Sequence, residues 1–135
     1  KTALLLSGQP RFFQKGFDVV VGSRYIGGSD VVVPQVWYRR VLGRLANLLI
    51  RTLLLPGVYD TQCGFKMFTN QSAQKIFSLC KIDGWGADIE MLTLAKKYNY
   101  KIIEVPIVWR EVGGSSLKLK AFWWTFKDLI RIIIR

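Results

Sequence analysis

Histidine does not occur in this 135-residue chain. Its absence excludes Ser-His-Asp and Cys-His nucleophile systems and every histidine-containing zinc site. Cysteine occurs only twice. Cys63 and Cys80 lack metal-ligand spacing and sit in apolar segments, so they read as buried free thiols of a reducing compartment. Acidic residues are also scarce. Nine Asp+Glu stand against 20 Lys+Arg, a net charge of +11. Such an excess implies an anionic partner: nucleic acid, phospholipid or a phosphorylated substrate. No RNA- or DNA-binding motif occurs and the aromatics lie mostly in apolar runs, so no nucleic acid is expected. No segment reads as a signal peptide, and no repeat or low-complexity tract interrupts the chain. The chain does not begin with Met, so its true N-terminus is expected elsewhere.

What is present suffices for one domain with a real core, since half the residues are hydrophobic. Asp18 to Arg24 reads as a buried strand, three valines running into a Gly-Ser turn. Residues 25–34, with paired glycines and a proline, read as a loop. From about Gln35 to Leu55, Val41, Leu42, Leu45, Leu48, Leu49 and Leu53 recur at helical spacing, and Pro56-Gly57 stops the helix. Arg44 and Arg51 interrupt it, so it is no membrane span. Gly64 to Phe68 reads as a short strand, and Asn70 as the N-cap of a helix to about Leu79. A further helix covers about Ala87 to Tyr98, with Ile89, Leu92 and Ala95 inward. Lys101 to Trp109 is a strand whose Pro106 places it near an edge or a bulge. Strands alternating with helices make the fold class α/β.

Three strand or helix ends carry charge. Asp60 lies in Asp60-Thr61-Gln62-Cys63-Gly64-Phe65-Lys66, Asp88 and Glu90 in Trp85-Gly86-Ala87-Asp88-Ile89-Glu90, and Arg110 follows Trp109. Arg24 ends the first strand, where open α/β sheets bind ligands. Arg40 and Arg44 are four apart on one helix face, an unfavourable pairing unless an anion lies between them. On a helix Asp88 and Glu90 do not share a face, so one points to a site and the other caps or pairs locally.

Several of these stretches, in order, resemble one family. The motifs are Asp18-Val-Val-Val-Gly-Ser-Arg24, Tyr38-Arg39-Arg40 with Ala46-Asn47, the DTQCGFK run, Trp85 to Glu90, and Glu104-Val105-Pro106-Ile107 with Trp109. Together they are similar to the GT-A-type glycosyltransferases that load a sugar onto a polyprenyl phosphate, such as dolichyl-phosphate glucosyl- and mannosyltransferases. The resemblance covers about Phe17 to Arg135. It departs at Ala87, where the family has phenylalanine, and at Gly114-Ser115-Ser116, where a lysine normally follows and Lys118 would substitute.

The resemblance implies transfer of a hexose from a nucleotide sugar of the UDP-glucose or GDP-mannose type to a polyprenyl phosphate, dolichyl or undecaprenyl, at the cytoplasmic face of a membrane. It implies Asp60 and Asp88 as catalytic residues, and Arg24, Arg40, Arg110 and Lys118 as ligands of the acceptor phosphate. It also implies a divalent metal, Mg or Mn, held through an Asp-x-Asp motif. No Asp-x-Asp occurs here, and no room for a first βαβ half precedes Asp18. The expectation is therefore a partial GT-A (Rossmann-like) domain without its nucleotide-binding N-terminal half, inactive alone, with the metal ligands outside this chain. Residues 1–117 would be the acceptor half. Residues 118–135 would be an amphipathic helix on an anionic membrane surface, with Lys120, Lys127, Arg131 and Arg135 along one stripe. Two other readings are a GT-A enzyme with a polysaccharide or protein acceptor and a non-catalytic basic module on a membrane surface.

Overall fold

A computed structural model describes residues 9–32, 37–110 and 119–134. At its centre is β1 (Val19–Ser23), whose three valines are fully buried. Helix α1 (Gln9–Gln14) precedes it. β1 pairs in parallel with β4 (Ile102–Pro106), Val19 opposite Ile102 and Ser23 opposite Pro106. On its other side it pairs antiparallel with β3 (Lys66–Phe68). Valine fits this position because its branched side chain packs on both faces of a pleated, covered strand. The strand order β3-β1-β4 leaves β4 at an edge, and the strand breaks after Pro106 at Ile107. Proline tolerates both places because it offers no ladder N–H.

The segment expected as a loop contains a strand. β2 (Asp30–Val32) pairs in parallel with β5 (Val108–Arg110), forming a separate two-stranded ribbon. Three residues carry no period of their own, so only the partner defines them. Two of the other expected elements differ at an end: the long helix, α2 (Trp37–Leu53), stops at Leu53 rather than Leu55, and the strand expected from Gly64, β3, starts at Lys66. The cap of α3 (Asn70–Leu79) is Thr69, not Asn70. Its hydroxyl accepts from the Ser72 N–H at 3.3 Å, while its own N–H donates to the Asp18 carbonyl. Helix α4 (Ala87–Lys97) buries Ile89, Leu92 and Ala95, as its spacing predicts. After α2 the chain turns at Gly57, whose φ of 89° suits a residue without Cβ.

One core joins the layers: Val19 and Val21 of β1, Ile50 of α2, Ile76 of α3, Ile89 and Leu92 of α4, and Leu129 and Ile132 of α5 (Leu119–Ile134). Helix α5 is thus packed on the domain along one stripe. Its contact with α4 is close, because a Cβ at Gly86 would stand 2.6 Å from the Cβ of Asp128. The Asp128 carboxylate therefore sits at the N-terminus of α4, where the helix dipole favours negative charge.

Two helices keep large apolar side chains outside. On α2 the regular leucine stripe faces outward, with Leu45, Leu48 and Leu53 more than half exposed, and the buried side chains are Asn47 and Ile50. On α5, Trp123, Phe126, Ile130 and Ile133 are exposed while Asp128, Leu129 and Ile132 are buried. The basic stripe expected there is represented by Lys127 and Arg131, both exposed; the side chains of Lys120 and Arg135 lie outside the described residues. Among the described residues no helix is long and apolar enough to cross a membrane.

Candidate active site

The carboxyl ends of β1 and β4 lie together because the two strands are parallel and in register. The chain brings a loop, Val58 to Thr61, across that end, and three elements hold it. From β4, the Glu104 carboxylate accepts from the Asp60 N–H at 2.8 Å and the Tyr59 N–H at 2.9 Å. From α2, the Asn47 amide donates to the Tyr59 carbonyl at 2.6 Å and accepts from the Thr61 hydroxyl at 2.9 Å. From the end of β1, Arg24 donates to Asp60 three times: Nε at 2.7 Å, Nη2 at 3.0 Å and the backbone N–H at 3.0 Å. A buried loop needs such partners, since an unpaired backbone donor or acceptor away from water is costly.

Asp60 is fully buried, and the two-point contact with the Arg24 guanidinium is a strong, charge-assisted pairing for its carboxylate. Burial by itself would push the Arg24 guanidinium down. The hydrogen bonds and charge of Asp60 outweigh that and hold it above its ordinary value, so Arg24 stays protonated at every accessible pH. The guanidinium also lies 5.5 Å from the Trp109 ring centre and 5.4 Å from that of Tyr25. Burial pushes the neighbouring Cys63 thiol up, which keeps it neutral and unreactive.

A second pair lies beside the first. Lys66, nearly buried, donates to Asp88 at 2.8 Å and to the Cys63 carbonyl at 2.5 Å. Asp88 keeps a third of its side chain open to solvent. Glu90 is the residue that caps locally: its buried carboxylate accepts from the N–H groups of Lys81 and Ile82.

Next to the Arg24–Asp60 pair an open cleft of about 650 Å³ is lined by Arg24, Tyr25, Ile26, Arg44, Leu48, Arg51 and Tyr59, with Gly27 and Asn47 completing it. Arg44, Asn47, Leu48 and Arg51 form one stripe of α2, at steps of three, one and three. Arg51 stacks 4.2 Å from the centre of the Tyr59 ring.

Of the residues expected at a site, the structure brings Arg24 and Asp60 into direct contact and places Asp88 on Lys66. Arg40 is exposed on the first turn of α2 and does not line the cleft; Arg44, one turn on, does. Arg110 is exposed at the end of β5, also outside the cleft lining. Lys118 and the Gly113–Ser116 stretch lie outside the described residues. Sequence reasoning missed the roles of Glu104, Asn47 and Arg51. Glu104 had a visible signal, a lone carboxylate inside the apolar run Ile102-Ile103-Glu104-Val105. Among the described residues no group of three or more His, Cys, Asp or Glu side chains could hold a metal ion.

The chain matches no family model. It is 39% identical over 119 residues to the dolichyl-phosphate beta-glucosyltransferase of Dictyostelium discoideum, a stretch that covers 87% of this chain and 36% of that protein. It is 34% identical over 120 residues to the human protein of the same name, with coverage of 87% and 36%. With that of Saccharomyces cerevisiae it shares 35% over 102 residues, 75% of this chain and 30% of the other. The chain spans about a third of the length of these relatives.

Proposed function

This chain is a homologue of the dolichyl-phosphate beta-glucosyltransferases over about a third of their length, and from that premise we propose that it is the acceptor side of a GT-A-type catalytic domain. The protein as a whole transfers a hexose from a nucleotide sugar to a polyprenyl phosphate. The observation that carries this reading is the buried Arg24–Asp60 pair at the carboxyl ends of β1 and β4, beside a cleft that is both basic and apolar. Ligands of open α/β sheets bind at that end.

On this reading Asp60 has a positioning task rather than proton removal, which its contacts with Arg24 support. A phosphate monoester is already largely ionised near pH 7, so an acceptor of this class needs no base. The chemical difficulty is to hold two anions together and to stabilise the departing nucleoside diphosphate. Asp60 fixes the guanidinium of Arg24 in one orientation, and Arg24 then presents a directed positive group at the cleft. Asp88, held by Lys66 and partly open, is the second carboxylate available to a hydroxyl of the sugar. A divalent metal would neutralise the diphosphate, with ligands outside the described residues.

The reading places the work on an anionic membrane surface at the cytoplasmic face; the exposed faces of α2 and α5 support the membrane contact alone. Leucines on α2 and Trp123 and Phe126 on α5 are amphipathic-helix chemistry, with Arg and Lys beside them. Both helices hold the core with their other side, so the membrane contact is tested by surface substitution rather than truncation. Leu45→Glu with Leu49→Glu, and Trp123→Gln with Phe126→Gln, are each expected to reduce co-sedimentation with anionic vesicles without lowering the melting temperature. Transfer itself is tested with the whole gene product, radiolabelled UDP-glucose or GDP-mannose, and dolichyl phosphate. Asp60→Asn and Arg24→Lys are expected to lower the rate. Transfer to a polysaccharide or protein acceptor, with none to a prenyl phosphate, would overturn the reading.

A further inference from the structure

Lys66 stands where a core residue is expected. In the antiparallel ladder it lies opposite Val21, as Phe68 lies opposite Val19. Directly opposed residues share a face of the sheet. Val19 and Val21 belong to the core, and Phe68 packs against it. Lys66 therefore continues the core face toward the carboxyl end of β1, where Arg24 follows. Its ammonium is nearly buried. Burying that charge carries a desolvation cost, and apolar replacements of buried ion pairs are often neutral or stabilising. Stability alone does not account for a lysine at this place.

Its contacts give it another task. The ammonium donates to the Cys63 carbonyl and to Oδ1 of Asp88. One end of the clamp is thus the Asp60–Cys63 segment, and the other is the first turn of α4. The two ion pairs of the site are neighbours, since the Cys63 thiol feels the charges of Arg24, Asp60 and Lys66 alike. Asp88 does not cap its own helix: Gly86 is the N-cap of α4, and no side chain makes a cap hydrogen bond there. A carboxylate serving only the helix dipole would be free to turn. Here Oδ1 is tied down and a third of the side chain stays open, while Oδ2 has no hydrogen-bond partner among the described residues. A fixed carboxylate with one free oxygen repels a phosphate and accepts from a neutral hydroxyl.

We propose that Lys66 is a positioning residue: by tying Oδ1 of Asp88 to the Cys63 segment it presents Oδ2 in one orientation, and Oδ2 accepts from one hydroxyl of the sugar being transferred. This rests on the glycosyltransferase reading above and deepens it, because a lysine that touches no substrate then sets the selectivity for a sugar hydroxyl.

The whole gene product tests it, with dolichyl phosphate as acceptor and, as donors, the nucleotide sugar it uses and the monodeoxy analogues of that donor, each lacking one hydroxyl. In the parent protein one analogue is expected to lose about tenfold or more in kcat/KM beyond the others, the worth of one hydrogen bond to a charged group. Lys66→Met keeps the apolar stem and removes the ammonium. It is expected to erase that excess loss, so that the singled-out analogue falls in line with the others, while KM for dolichyl phosphate stays unchanged. Asp88→Ala should erase it equally, and Lys66→Met added to Asp88→Ala should change the discrimination no further. Lys66→Gln carries the same comparison should Lys66→Met not fold, since its amide still has a donor for the Cys63 carbonyl. A lysine with a structural role alone would lower the rate with every donor by one factor and leave the discrimination intact. That result overturns the proposal, as does discrimination that survives Asp88→Ala. Transfer to dolichyl phosphate with no analogue singled out would refute the proposal and leave the glycosyltransferase reading standing. Absence of transfer to any prenyl phosphate by the parent protein would bring down that reading and the proposal with it.

Discussion

Replacing Arg24 by alanine isolates a buried carboxylate, and the size of the loss follows from the geometry. Asp60 is fully buried and receives two side-chain contacts from Arg24, at 2.7 and 3.0 Å, besides the backbone N–H at 3.0 Å. Removing one partner of a buried ion pair costs about 3–5 kcal/mol. The backbone donor survives the substitution, so the lower end applies, about 3 kcal/mol. In a domain of this size each kcal/mol shifts the melting temperature by about 3–4 °C, which predicts a fall of about 10 °C for Arg24→Ala. Arg24→Lys keeps the charge but loses the planar fork, and roughly half the loss is expected. The decisive comparison is the cycle with Asp60→Ala. The double variant should be more stable than the sum of the single losses by about 2 kcal/mol, because no carboxylate is then left unpaired. Urea unfolding followed by circular dichroism measures all four proteins. Additive losses, or an Arg24→Ala variant within about 0.5 kcal/mol of the parent, would refute the view of Asp60 as a positioning partner held by Arg24.

Three further outcomes follow from the same contacts. Glu104→Ala leaves the Tyr59 and Asp60 N–H groups without acceptors and should cost about 2–3 kcal/mol, read as a lower urea midpoint at constant slope; an unchanged midpoint would mean that water replaces the carboxylate. Gly86→Ala places a Cβ 2.6 Å from Asp128, so α5 should shift at a cost of about 1–3 kcal/mol; hydrogen exchange would show weaker protection of α5 amides, and equal protection would contradict the close contact. The Cys63 thiol is raised by burial, so its neutral form favours the fold below the unfolded thiol value of about 8.5, and that contribution is lost as pH rises through the higher folded value. Cys63→Ser should therefore flatten the alkaline fall in stability, and native Cys63 should label with a thiol reagent far more slowly than half-buried Cys80; equal labelling rates would show that Cys63 is accessible.

The sequence by itself determined the elements whose signals are local. Three valines before a Gly-Ser turn specify β1, the spacing of Ile89, Leu92 and Ala95 specifies α4, and Pro56-Gly57 specifies the end of α2. The motifs also marked Arg24, Asp60 and Asp88, because charge at a strand or helix end stands out in an apolar chain. Only the tertiary structure decided what those charges do. Arg24 and Asp60 are 36 residues apart, Lys66 and Asp88 are 22 apart, and no local period links them. β2 likewise exists only through its pairing with β5. The clearest difference lies on α2. Its leucine stripe predicts a helix correctly, but the stripe faces outward while Asn47 and Ile50 face in. Periodicity reports that a helix has an apolar face; it does not report what that face meets. The inward side of α2 is set by Asn47, whose amide satisfies both the Tyr59 carbonyl and the Thr61 hydroxyl. Arg40, Arg44 and Arg51 share one face of α2, and the position of the Val58–Thr61 loop along the helix puts Arg44 and Arg51 on the cleft while Arg40, on the first turn, lies beyond it.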